Sequence, residues 1–62
     1  MKKPICKLTG EDGNVFNIIS IVNRTLKLNN MKGEAKLFMM NAFAQESYED
    51  VLKLASEFVN IQ

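Results

Sequence analysis

Cys6 is the only cysteine in this 62-residue chain, and histidine is absent. Those two counts constrain the fold more than any other feature. A chain so short buries only about 60% of the surface its unfolded form exposes, which leaves a thin margin of stability. Small domains offset that deficit with disulfides, a structural metal or a partner chain. One thiol rules out a disulfide framework within the chain, and a zinc site would lack its usual ligands. Association with further copies is the remaining common solution, so a homo-oligomer is expected. A single thiol also fits a reducing, cytoplasmic setting. Residues 1–62 are read as one small domain.

The charge is nearly balanced, eight Lys and Arg against seven Asp and Glu. Duplex DNA binding needs a basic field that this balance does not provide, so nucleic acid is not an expected partner. The apolar fraction, 47%, is too high for a disordered chain. No run reaches the ~18 apolar residues that span a membrane. The Lys2-Lys3 start also lacks the apolar stretch of a signal peptide. The expectation is a soluble cytoplasmic domain with no membrane partner.

Pro4 to Thr9 reads as a short strand, with Ile5, Lys7 and Thr9 on one side and Cys6 and Leu8 on the other. Pro4 suits the first position of an edge strand, where its missing N–H is not needed. The stretch after it admits two readings. Asp12-Gly13 between apolar runs is a hairpin signal, and Val15 to Val22 is rich in β-branched residues. Against that, Val15, Ile18, Ile19, Val22 and Leu26 fall on one helical face, and strict alternation fails at Ile18-Ile19 and Ile21-Val22. Helix is the favoured reading, with Asn14 as N-cap, Lys27 near the negative end of the dipole, and Asn29-Asn30 as the stop. A second helix is predicted from about Lys32 to Ala44, with Gly33 weakening its first turn. A third begins at Ser47, where Ser-Tyr-Glu-Asp resembles a capping box. Its stripe is Tyr48, Val51, Leu52, Ala55, Phe58 and Val59, and Glu49, Lys53 and Glu57 are spaced for i,i+4 pairing. The tail Val59–Gln62 alternates and is able to pair with Ile5–Thr9. The fold class is therefore α+β, mostly α, with a short N-terminal strand, a three-helix core and a short C-terminal strand.

The second helix carries more apolar residues than one buried face needs. Leu37 to Met40, followed by Ala42 to Ala44, is apolar all round. One reading is a generous core with methionines as gap fillers. The favoured one is a homo-oligomer or partner interface formed by Phe38, Met39, Met40 and Phe43.

Catalysis is not expected. Histidine, the commonest general base, is missing, and Cys6 in a strand has nothing to activate it. No cofactor or metal is implied; Glu11 and Asp12 are read as solvated loop acids, because their spacing matches no EF-hand. The Gly10–Asn14 loop could offer N–H groups to a phosphate at a helix N-terminus. It matches neither the P-loop nor the dinucleotide fingerprint, and Glu11 and Asp12 would repel an anion. Turn-and-cap is the simpler reading. Arg24, Lys27 and Lys7 are candidate phosphate partners, and Tyr48 could stack on a base or pack in the core.

Three segments carry a resemblance: "ICKLTGEDGNVFNII", "VNRTLK" and "SYEDVLKLASEFV". Together they resemble a group of small uncharacterised proteins encoded by bacteriophages and other bacterial mobile elements. Members show an apolar strand, a Gly-x-Asp-Gly-Asn turn, then an apolar residue and an aromatic or alanine-type residue opening a helix, and close with a Ser-x-Tyr or Ser-Tyr-Asp helix start. Gly10, Asp12, Gly13 and Asn14 match the turn, Arg24 the basic helix position, and Ser47, Tyr48 and Asp50 the last region. Where members often carry a glycine-acid pair before the tyrosine, this chain has Glu46-Ser47. The resemblance implies no activity, only a setting: a non-catalytic accessory binder acting in the cytoplasm of a bacterial host cell. One such role is an anti-defence sponge that holds a nucleotide-type immune signal between subunits. Gly13 and Asn14 would then supply N–H groups, Arg24 charge, and Tyr48 stacking. The alternative is a protein-interaction module that docks on a host or phage protein through the second helix.

Overall fold

A computed structural model describes residues 3–8 and 14–62. The order is β1 (Ile5–Cys6), α1 (Val15–Leu28), α2 (Lys32–Ala42), α3 (Tyr48–Ser56) and β2 (Asn60–Ile61). This is the mostly helical α+β arrangement that the pattern predicts. Gly10, Glu11, Asp12, Gly13 and Thr9 lie outside the described residues.

Asn14 starts α1 as expected. Its backbone is extended and its side-chain oxygen accepts the Phe16 N–H at 2.9 Å. Ile18, Ile19, Val22 and Leu26 form the buried face, so the helical period prevails over the β-rich composition. The helix ends in a Schellman motif. Asn30 takes the left-handed conformation (φ 60°), its N–H reaches Lys27 O at 3.1 Å, and the Met31 N–H reaches Leu26 O at 2.9 Å. Met31 then packs against the core to which Leu26 belongs. That compact turn brings α2 back beside α1.

In α2, Ala35, Phe38 and Ala42 face inward. The two alanines let the helices approach closely, and Phe38 fills the space between them. Its ring meets Phe58 edge-on, with centroids 5.6 Å apart and planes at 68°. Phe38 is fully buried, which corrects its assignment to an outward-facing interface: a side chain enclosed by its own chain has no surface left to offer a partner. Met39 is half-buried and also packs on the core. The helix stops at Ala42 rather than Ala44, because the Ala44 and Gln45 N–H groups turn to Asn41 O and Ala42 O, three residues back.

Ser47 caps α3 by accepting the Asp50 N–H at 3.1 Å. Val51 and Ala55 face the core. The predicted stripe runs past the helix end: Phe58 and Val59 follow Ser56 in a tightened turn, both N–H groups bonded to Ala55 O at 2.9 Å. Val59 is buried and leads into β2.

The tail pairs with the N-terminal strand, as its alternation predicts. The pairing is parallel, Ile5 opposite Asn60 and Cys6 opposite Ile61, with all three helices forming the crossover. Asn60 N–H donates to Pro4 O and Gln62 N–H to Cys6 O, each at 2.9 Å, and Leu8 N–H donates to Gln62 O. Cys6 is buried while Ile5 and Lys7 are exposed, matching the predicted sidedness. The Cys6 sulfur lies 3.6 Å from Thr25 Oγ1, whose own hydroxyl proton goes to Ile21 O at 2.9 Å. The thiol is therefore the donor in that contact, and Thr25 Oγ1 accepts.

Candidate binding site

An open, mostly apolar groove of about 350 Å³ lies where three element ends converge. The first turn of α1 contributes Val15, Phe16 and Ile19, and the end of α2 contributes Ala42 and Phe43. The loop and first turn of α3 add Gln45, Glu46, Ser47, Tyr48 and Val51. Phe16 and Phe43 meet across two elements, with centroids 6.2 Å apart and planes at 37°. Both rings stay open to solvent, Phe16 at 65% and Phe43 at 59%, with Tyr48 at 38%. Flat, amphipathic or aromatic side chains around a concave surface are the usual furniture of a binding site.

Two helix N-termini border this groove, yet few free donors face it. Asn14 takes the Phe16 N–H through its side chain and the Asn17 and Ile18 N–H groups through its carbonyl. Ser47 takes the Asp50 N–H through its hydroxyl and the Val51 N–H through its carbonyl. Glu46 on the rim adds negative charge. The groove therefore favours an apolar or aromatic guest over a bare anion.

Among the described residues, those expected to hold a nucleotide do not converge on one cleft of the chain. Tyr48 is at this groove, and Asn14 directly precedes Val15 on its wall. Arg24 is not: it lines a separate cleft of about 350 Å³ with Lys7, Ile21, Thr25 and Leu28. Eight residues of α1 separate Phe16 from Arg24, a rise of about 12 Å. Gly13 lies outside the described residues. Of the expected interface residues, Met40 is 67% exposed and Phe43 is at the groove, whereas Phe38 is enclosed and Met39 half so. The pattern missed Phe16, which stands one position off the buried stripe of α1. An aromatic side chain just outside such a stripe is the signal that could have found it.

Among the described residues, no group of three His, Cys, Asp or Glu side chains is placed to hold a metal ion. No helix formed by the described residues is long and apolar enough to cross a membrane. No protein-family model, curated protein or solved structure matches the chain.

Proposed function

We propose that this protein is a non-catalytic binder that works as an assembly of identical subunits. One observation carries the reading: of the six described large apolar side chains more than half exposed, Phe16, Leu37, Met40 and Phe43 lie on α2, its C-cap and the first turn of α1, while Ile5 and Leu28 lie elsewhere. On a chain with 4353 Å² of total surface, leaving that much apolar side chain in water is costly unless another surface covers it. The resemblance to phage and mobile-element accessory proteins is the ground for reading a binder at work in the bacterial cytoplasm. Sedimentation equilibrium of the full chain tests the assembly. A mass that stays at the 7.0 kDa of one chain would end it.

A nucleotide signal as the bound molecule is the narrower form of this proposal. Tyr48, Phe16 and Phe43 supply aromatic faces for a base. Arg24 can reach the same ligand only from a second subunit, since within one chain it opens into a different cleft. Calorimetry with a panel of cyclic and ADP-ribose-type nucleotides tests this form. Absence of heat from a folded assembly would refute the sponge while leaving the assembly standing.

Docking on a host or phage protein is the second reading, favoured by the outward exposure of Leu37 and Met40 on α2. It predicts capture of one defined protein from host lysate, lost in Met40→Asp while the assembly survives. An assembly that falls apart on that substitution points to self-association instead.

A further inference from the structure

The near balance of charge in this chain conceals a separation. Among the described residues, β1, α1 and the positions beside them carry Lys3, Lys7, Arg24 and Lys27 and no acid. Glu11 and Asp12, between the two elements in sequence, lie outside the described residues. Helix α2 is mixed, with Lys32, Lys36 and Glu34. Glu46, Glu49, Asp50 and Glu57 gather at α3 and its flanks, with Lys53 the one base among them.

Two of the four cations on the basic side share a cleft. Ile21, Arg24, Thr25 and Leu28, at i, i+3, i+4 and i+7, form one flank of α1, and with Lys7 just past β1 they line an open cleft of about 350 Å³. Neither Lys27 nor any acid is part of that lining. Thr25 ties the two elements together and brings no free donor, since its proton goes to Ile21 O and its oxygen accepts from the Cys6 thiol. None of the side-chain hydrogen bonds formed among the described residues uses Lys7 or Arg24. Three carbonyls at the end of α1, which would repel a nearby anion, are already engaged. The Asn29 side chain and N–H bond Thr25 O, the Met31 N–H bonds Leu26 O, and the Asn30 N–H bonds Lys27 O.

The geometry points to this cleft as a site for a small organic phosphate monoester, with Lys7 and Arg24 on the phosphate and Ile21 and Leu28 against the group esterified to it. This rests on the binder reading proposed above, but it needs no second subunit and leaves the aromatic groove out. Two cations match the charge of about −2 that a phosphate monoester carries at neutral pH. Arginine's planar fork and a lysine from a separate element engage its oxygens from two directions. A cleft with apolar walls and charges of one sign focuses its field on the guest. Leu28 is the reason for an ester over the bare ion. At 76% it is the most exposed of the described large apolar side chains, and it stands one turn from Arg24 on the same flank. A ligand whose phosphate meets Arg24 takes Leu28 out of water with its other end.

The isotope-labelled full chain is titrated at low ionic strength with phenyl phosphate, inorganic phosphate and phenol, and its amide shifts are followed by two-dimensional NMR. Saturable shifts at Lys7, Arg24, Thr25 and Leu28 are expected with phenyl phosphate and none of them with phenol. Inorganic phosphate should bind about threefold more weakly than the ester. Arg24→Gln and Lys7→Gln should each weaken phenyl phosphate about fivefold. Leu28→Ala should weaken phenyl phosphate and leave inorganic phosphate unchanged. Lys53→Gln removes an exposed cation outside the cleft and should change neither. All four are surface substitutions, and each variant's own spectrum reports that it is folded. Equal losses from Lys53→Gln and Arg24→Gln would mean attraction to charge alone and overturn the site, as would inorganic phosphate binding as tightly as the ester. Shifts at Phe16, Phe43 and Tyr48 in place of the cleft would put the ligand in the groove, overturning the cleft while the binder reading stands. Absence of shifts with every probe would overturn the cleft alone, because sedimentation and the nucleotide panel test the assembly and the groove separately.

Discussion

Replacing Phe38 by alanine tests how α2 divides its apolar residues between core and surface. Phe38 has no exposed surface and touches Phe58 edge-on at 5.6 Å. A buried Phe→Ala change costs about 3–5 kcal/mol, through lost transfer energy and the cavity left behind. The edge contact with Phe58 accounts for about 1 kcal/mol of that. At about 0.05–0.15 kcal/mol per residue, a domain this size holds roughly 3–9 kcal/mol in all. Phe38→Ala therefore removes between a third and all of the stability. Phe43→Ala, on a ring that is 59% exposed, should cost no more than about 1 kcal/mol. Urea unfolding followed by far-UV circular dichroism measures both. Every sample is held at one protein concentration, because assembly makes apparent stability depend on it. If Phe38→Ala costs less than Phe43→Ala, the orientation of α2 described above is wrong.

Three further outcomes are expected. Ser47→Ala should lower stability by about 1 kcal/mol in the same assay, since it strips the cap from the Asp50 N–H. Asn30→Val should cost about 1–2 kcal/mol at the left-handed position while Asn30→Gly costs nothing, and equal effects would contradict the Schellman stop. The Cys6 thiol, buried beneath the paired strands, should resist a chromogenic disulfide reagent in the folded protein and react fully in urea. Rapid labelling without urea would show that the N-terminal strand does not stay docked.

Much of the fold was legible because local chemistry and period agreed. Asn14 and Ser47 each combine a capping side chain with an apolar stripe that starts beside it, and Asn29-Asn30 offers the left-handed stop. Alternation in Ile5–Lys7 and in Val59–Ile61 marked two strands that meet only after three helices. In α2 that agreement fails, because a helix apolar on every side has no period to say which side is inward. The pattern thus groups Phe38 with Met40 and Phe43, although small neighbours at Ala35 and Ala42 leave it room in the core. The pattern carries α2 two residues past its end at Ala42 for a similar reason: Ala42, Phe43 and Ala44 include no glycine or proline to mark the turn. Grouping Arg24 with Tyr48 failed differently. Each is plausible beside a ligand, but the spacing along a chain does not reveal that α1 and α3 carry them to separate clefts.

Sedimentation equilibrium of the unmodified chain over a wide concentration range tests the central claim most directly. Self-association predicts a mass that is a multiple of the 7.0 kDa chain and falls toward one chain on dilution. A constant 7.0 kDa at every concentration would contradict it.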